Sequence, residues 1–247
     1  MSVILISGTI GAGKSSLTDM LAEEINSKPF YESVEDNEVL PLFYSNPEQY
    51  AFLLQIFFLN KRFLAMKNAL ASDDNVLDRS IYEDSLLFHL NADLGRVTPI
   101  EVQQYDILLD TMLKELDDVA PKKRPDLMVH IKVSLETMLE RIKKRGREYE
   151  QLESDETLYA YYQSLNERYD RWYENFDVCP KIQIDGDRFD FVEKPEHAQE
   201  VIQQIQQKLV ELETVPSGKY FTNNQQAKGQ NFKYLEEQEK SQLFGQS

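Results

Sequence analysis

Cysteine is nearly missing from this 247-residue chain: Cys179 stands alone, and one thiol cannot close an internal disulfide. Histidine is scarce as well. His89, His130 and His197 are scattered along the sequence and form no short-spaced ligand set of the kind structural zinc needs. Positive charge is in deficit, with 27 Lys and Arg against 43 Asp and Glu and a formal net charge of −16. A nucleic-acid polymer or an anionic membrane would be repelled over most of such a surface. No apolar run nears the ~18 residues of a membrane span, and the start "MSVILISG" lacks the basic flank and length of a signal peptide. The expectation is a soluble protein of a reducing cytoplasm, with neither nucleic acid nor membrane as partner.

What is present is one sizeable core's worth of apolar residues, 41% of the chain, in an alternating arrangement. Short apolar runs at 2–7, 29–34, 75–80, 126–133 and 181–185 read as strands. Helical patterns separate them, at Ser15 to about Ile25, Glu48 to about Ala71, Tyr82 to about Leu94, Pro99 to about Asp118, Leu135 to Lys144, Asp155 to about Phe176 and Glu196 to about Leu212. Strands joined by helix-length crossovers predict an α/β fold, a five-stranded parallel sheet flanked by helices. Pro99 after Thr98 reads as a first-turn proline behind an N-cap. The domain is expected to span 1–214. From 215 to 247 the composition turns to Asn, Gln and Lys with few apolar residues, which predicts a polar, mobile tail.

The most informative stretch is "LISGTIGAGKSSL", residues 5–17. Gly8 to Ser15 match G-x-x-x-x-G-K-[ST], a pattern expected by chance in roughly one chain in a hundred of this length. Here it also follows an apolar strand and opens an amphipathic helix, as its mechanism demands. Gly8, Gly11 and Gly13 let successive N–H groups face phosphate oxygens, and the helix start adds about half a positive charge. The candidate cradle for a nucleotide's phosphates is therefore Gly8, Thr9, Ile10, Gly11, Ala12, Gly13, Lys14, Ser15 and Ser16. Lys14 would neutralise the transferring phosphate and Ser15 would ligate Mg²⁺. No N-K-x-D guanine motif is present, and no apolar strand ends in Asp-Glu, which disfavours signalling GTPases and motors.

Two strand ends suggest an acceptor site. The second ends in "FYESVEDN", bringing Glu32 to the carboxyl edge, and the third in "LDRS", bringing Asp78 and Arg79 beside it. A carboxylate held by a guanidinium suits proton removal from a hydroxyl that attacks phosphorus. Glu32 as a surface acid and Asp78–Arg79 as a sheet-end ion pair are the structural alternatives. A third element, "RIKKRGREYE" at 141–150, has five Lys or Arg among its first seven residues. Arg141 and Arg145 share a helical face, and Gly146 lets the chain break so that Arg147 turns toward the same point. That describes a lid over the transferring group; a solvated basic helix end is the alternative. The basic run "PKKRP" at 121–125 reads as a loop.

These motifs, in this order, resemble the deoxyribonucleoside kinases, most closely the bacterial deoxyadenosine/deoxyguanosine kinases. The resemblance covers about residues 2–213 and rests on the phosphate loop, "YESVEDN", "DRSIYED" and "RIKKRGREYE". It implies a P-loop kinase fold with an arginine-rich lid and Mg²⁺-assisted transfer of the ATP γ-phosphate to the 5′-hydroxyl of a deoxyribonucleoside. Deoxyadenosine is expected first, deoxyguanosine or deoxycytidine as alternatives, in nucleotide salvage, by a homodimer or a heterodimer with a related subunit. By motif position Glu32 is the general base and Arg79 the arginine that steadies it. Tyr44 and Glu150 match the pair on the sugar 3′-hydroxyl, Gln55 the base-reading glutamine, and Arg62 and Asp84 a pair at the far edge of the base. Arg141, Arg145 and Arg147 match the lid, and Asp185, Asp187 and Phe189 belong to a run resembling the loop over the donor adenine. Asp78, with Ser15, stands on the metal side. Gln55 and Arg62, seven residues apart, can face one pocket on a helix, and a glutamine amide offers donor and acceptor together.

The sequence departs from the family where Asp78 replaces a frequent Glu, Ser33 a Pro, and Asn37 a position often held by Trp in animal members. Two other functions fit a phosphate loop with an Asp-Arg strand end: a nucleoside monophosphate kinase of the thymidylate kinase type, and a nucleotide-sensing protein without turnover. The first must bind an extra acceptor phosphate, which "YESVEDNE" is too acidic to favour.

Overall fold

Val3–Gly8 (β1) is the centre of the sheet, and every residue in it is buried, as its uninterrupted apolar character demands of a strand covered on both faces. The computed structural model describes residues 3–32, 37–71, 75–119, 124–153 and 157–214. The expected tail, Ser33 and most of the basic run at 121–125 lie outside them. After β1 come Lys14–Glu24 (α1), Lys28–Phe30 (β2), Val39–Ser45 (α2), Pro47–Leu70 (α3), Asn75–Asp78 (β3), Asp84–Asp93 (α4) and Pro99–Val119 (α5). Leu127–Lys132 (β4), Leu135–Arg145 (α6), Thr157–Asn175 (α7), Lys181–Asp185 (β5) and Pro195–Thr214 (α8) complete the domain. Single 3₁₀ turns at Ile81–Glu83 and Glu148–Glu150 lead into α4 and follow α6.

The sheet has five strands in the order β2-β3-β1-β4-β5, all parallel. Register pairs Ile6 with Asp78 and Gly8 with Ile131. The chain that leaves β1 as the glycine-rich loop therefore stands beside the last residue of β3. Apolar clusters fill both faces: one gathers Ile4, Ile6, Leu17, Val129 and Tyr162, the other Val3, Leu5, Phe88, Leu77 and Tyr105. β1 contributes alternate residues to each, the period-two rule of a strand.

Local signals explain most boundaries. The Thr98–Pro99 expectation is met by a reciprocal box: Thr98 N–H donates to Glu101 at 2.7 Å and Glu101 N–H donates to Thr98 Oγ1 at 3.3 Å, a cap worth about 1 kcal/mol. Asn46 accepts the Gln49 N–H ahead of Pro47 at the start of α3. Several expectations need correction. The second strand is Lys28–Phe30 rather than 29–34, so Glu32 lies two residues beyond its end. The third stops at Asp78 rather than 80 because Arg79 has left the extended region, at φ 69°. The helix expected from Tyr82 begins as a 3₁₀ turn and becomes α-helical at Asp84. Helix α2 was not anticipated, since Pro41 stands inside it. That proline falls in the first turn, where its missing N–H has no intrahelical partner. Asn37 accepts the N–H groups of Val39 and Leu40 at 2.9 and 3.1 Å, so the asparagine that departs from the animal pattern starts this helix.

Candidate active site

The glycine-rich loop runs from the end of β1 into α1, with Gly13 as N-cap in the left-handed region. Lys14 follows, buried, its Nζ donating to the Thr9 carbonyl at 2.8 Å. Burial, assisted by the nearby Arg79 charge, pushes the Lys14 ammonium down to about 8, as expected of a cation withdrawn from water without a full counter-charge. Thr9 Oγ1 is buried without a hydrogen-bond partner. Ser15 donates its hydroxyl to Asp78 Oδ2 across the β1–β3 seam. The other Asp78 oxygen is buried and unpartnered, and burial raises this carboxyl.

That pair is where a divalent cation would fit. A hydroxyl and a carboxylate with one oxygen left unsatisfied suit a hard cation that takes its remaining ligands from phosphate and water. Among the described residues no cluster of three or more His, Cys, Asp or Glu forms a self-sufficient metal site. Asp78 and Ser15 would therefore hold Mg²⁺ only together with a nucleotide.

On the other side of Asp78 three charged side chains from separate elements meet. The Glu32 carboxylate accepts from Arg79 Nε at 2.8 Å through one oxygen and from Arg62 through the other. Burial alone would raise Glu32, but the guanidiniums of Arg62 and Arg79 overcome it and hold the carboxyl at about 2. Arg62, 5% exposed, extends its other terminal nitrogen to Asp84. Asp84 in turn accepts from Gln55 at 2.8 Å and from the Tyr105 hydroxyl. Gln55, Arg62 and Asp84 are thus joined in one buried line that ends on Glu32. Arg79 also reaches the Tyr169 hydroxyl and lies 3.7 Å from Glu83.

Two further groups are the tyrosines around Glu150 and the basic end of α6. Tyr44 on α2 packs on Tyr149 at 5.0 Å between ring centres. Tyr162 donates to the Glu150 backbone carbonyl at 2.9 Å. The lid arginines do not converge on one point as expected. Arg141 donates to the carbonyls of Ala12 at 3.1 Å and Gly186 at 2.7 Å, tying the phosphate loop to the β5–α8 turn. Arg145 and Arg147 both turn to Glu150, Arg147 at 3.5 Å. The cause is Gly146, at φ 73°: the left-handed residue reverses the chain and carries Arg147 away from Arg141, toward the nearest buried acid.

Asp185 accepts the N–H groups of Asp187 and Arg188 at 3.1 and 3.0 Å, and Asp187 accepts from Ser134 N–H at 3.0 Å. Both acids thus shape their own loop, and Phe189 is buried edge-on to His197. Residues not anticipated are Glu83, Tyr105 and Tyr169. Glu83 had a visible signal, the S-x-x-E spacing of a capping box from Ser80. Tyr162 and Tyr169 are seven apart on α7, which places them on one face. Tyr105 carried no signal beyond an apolar helical stripe.

A phosphate loop on the central strand, beside an ionised carboxylate held by two arginines, defines a P-loop phosphotransferase. Residues 4–211 match the family model for deoxynucleoside kinase, and the chain belongs to that family. It is 59% identical over 212 residues to a deoxyguanosine kinase of Lactobacillus johnsonii, covering 86% of this chain and 94% of that protein. A deoxyadenosine kinase of Lactobacillus acidophilus is 47% identical over 212 residues, covering 86% of this chain and 98% of that protein. Among solved structures, the deoxyadenosine kinase of M. mycoides with bound dCTP superposes with a TM-score of 0.67 at 26% identity, covering 83% of this chain and 99% of that one. The protein is a deoxyribonucleoside kinase. No helix among the described residues is long and apolar enough to cross a membrane.

Proposed function

We propose that this kinase transfers the γ-phosphate of ATP to the 5′-hydroxyl of a purine deoxyribonucleoside, deoxyguanosine before deoxyadenosine. The observation that carries the reaction is Glu32, fastened by Arg79 beside the phosphate loop. A carboxylate held near pKa 2 is ionised throughout the physiological range. Each of its oxygens has a second lone pair for an incoming hydroxyl. In a loose phosphoryl-transfer transition state the hydroxyl proton leaves late, so even a weakly basic carboxylate at the right distance assists. In this reading Lys14 and the loop N–H groups bind the phosphates, and the Arg79 guanidinium, beside Glu32, receives the new phosphate ester. Mg²⁺, held by Ser15 and Asp78 with the nucleotide, would neutralise charge on the donor oxygens.

The order of bases rests on two points. Identity is higher to the L. johnsonii deoxyguanosine kinase than to the L. acidophilus deoxyadenosine kinase. Among the described residues the buried Arg62 Nε–H also has no hydrogen-bond partner, and guanine presents two acceptors, O6 and N7, on the edge where adenine presents one acceptor and one donor. The second reading, deoxyadenosine first, draws on the Gln55 amide, which pairs with an adenine edge. The family resemblance supports a homodimer, and the free, buried Cys179 is compatible with a reducing, cytoplasmic setting.

The test is direct transfer from labelled ATP to deoxyguanosine, deoxyadenosine, deoxycytidine, thymidine and their monophosphates. Formation of 5′-monophosphates, fastest from deoxyguanosine, supports the reading. Faster turnover of monophosphates would make the protein a nucleoside monophosphate kinase, and nucleotide binding without turnover would make it a sensor.

A further inference from the structure

Glu83 is a buried carboxylate that phosphoryl transfer, as described above, does not use. Its side chain is fully shielded from solvent. One oxygen accepts the Ser80 N–H at 3.2 Å, and the Ser80 hydroxyl takes the Glu83 N–H in return. The other oxygen accepts the Ser7 hydroxyl at 2.9 Å and faces the Arg79 guanidinium at 3.7 Å. Ser7 Oγ is 3.4 Å from His130 Nδ1, and burial pushes that imidazole down to about 4, which leaves it neutral. Glu83 therefore joins β1, the end of β3 and the start of α4, with β4 behind Ser7.

Between the residues it fastens lies a strained one. Arg79 has φ 69°, a left-handed conformation unfavourable for a residue with a side chain. Such a conformer persists only where its surroundings over-determine it. On one side, Arg79 N–H donates to the Ile6 carbonyl at 2.9 Å. On the other, Ser80 is locked into the reciprocal box with Glu83. From this backbone the side chain reaches Glu32 through Nε and the Tyr169 hydroxyl through a terminal nitrogen.

We propose that Glu83 is a positioning residue, which holds Arg79 in its left-handed conformation and sets the direction from which the guanidinium meets Glu32. The proposal rests on the assignment of Glu32 and Arg79 to phosphoryl transfer. A capping glutamate alone would stabilise α4 and leave catalysis unaltered; a carboxylate that also faces the catalytic arginine alters both.

The test is a double-mutant cycle in the full chain. E83Q keeps an oxygen for the Ser80 N–H, and Ser7 can rotate its hydroxyl to accept from the new amide. What it removes is the acceptor oxygen that faces Arg79 at 3.7 Å, which an amide N–H replaces. Wild type, E83Q, R79K and the double variant are compared for kcat and nucleoside KM on the best of the four deoxynucleosides, with melting temperatures recorded. E83Q is expected to lower kcat ~10-fold with KM within about twofold, and to have less than about twofold further effect in the R79K background. An equal fold-loss in both backgrounds overturns the proposal, as does an E83Q kcat within twofold of wild type. If E83Q does not fold, Ser7→Ala carries the same cycle, since it withdraws one hydrogen bond from the same carboxylate and leaves every charge in place. A loss of about threefold that vanishes in the R79K background supports the proposal, and an additive loss overturns it. E32Q in the same assay keeps the two questions apart: wild-type turnover in that variant removes Glu32 from the reaction, a different failure from additivity of Glu83 and Arg79.

Discussion

Arg62 and Asp84 form an ion pair in which both side chains are buried, the one 4% and the other 0% exposed. Asp84 also receives Gln55 and Tyr105, so breaking the pair strands a charge inside a polar network, at a cost of ~3 to 5 kcal/mol. R62M and D84A alone are each expected to lose activity toward all nucleosides. Together they remove the stranded charge and leave apolar room where thymine carries its methyl group, a difference of about 1 to 3 kcal/mol. Purine turnover should fall and thymidine turnover rise. The quantity to measure is kcat/KM for thymidine over that for deoxyguanosine and deoxyadenosine; a ratio in the double variant within threefold of wild type means this pair does not read the base.

Glu32 links activity to acid stability. E32Q is expected to keep the fold and lower kcat by roughly 10² or more. Its carboxyl is held at about 2 in the folded protein against 4.5 as the ordinary value. A depressed carboxylate contributes stability that is present above pH ~4.5 and lost as pH falls through about 2. The melting-temperature gap between wild type and E32Q should therefore be full at pH 6 and narrow steadily between pH 4.5 and 2. A gap independent of pH over that window would show that the two guanidiniums do not hold Glu32 ionised.

Lys14 behaves in the opposite sense. With its folded value lowered from 10.5 to about 8 by burial, the neutral amine is favoured by the fold, so this group's contribution to stability rises between pH 8 and 10.5. A triphosphate restores the charged form. Nucleotide binding at pH 8.5 is expected to take up protons, detected by calorimetry as a binding enthalpy that varies with the ionisation enthalpy of the buffer. The dependence should disappear in K14A, together with most of the affinity; affinity unchanged to within twofold would contradict the assignment of the loop.

Gly8 offers a stability test. A Cβ there would lie 2.7 Å from the Ile131 carbonyl oxygen, a backbone atom of the neighbouring strand, with φ at 149°. Neither the strand nor the loop can move without breaking the β1–β4 ladder. Gly8→Ala should destabilise the domain by about 2 kcal/mol or more, read as a shift in denaturant midpoint. An unshifted midpoint would mean the loop leaves β1 by another path.

The parallel sheet, the phosphate loop and most helices were legible because they depend on local pattern. The apolar run of β1 and the Thr98–Pro99–Glu101 cap carry their own structural instructions. The geometry of the cleft was less so. Arg141 bonds to carbonyls 129 and 45 residues away, a pairing that no periodicity encodes. Arg79 adopts a backbone conformation that arginine ordinarily avoids, and only the tertiary contacts of Ile6 and Glu83 make it tenable. Helix α2 escaped notice because Pro41 reads as a breaker until Asn37 is seen to cap the turn that contains it.

The strand order also governs how the molecule can be made. β1 precedes the other strands of the sheet in the chain, yet among the described residues it pairs with β3 and β4 and not with β2, which pairs with β3. A nascent chain that has not reached Asn75 therefore holds two strands and no pair. During that interval the apolar segment at residues 3–8 has both edges open, the state in which unpaired strands are most prone to association. Asn75–Asp78 is the strand that joins both earlier ones at once, and its last residue brings the Asp78 carboxylate beside the Ser15 hydroxyl.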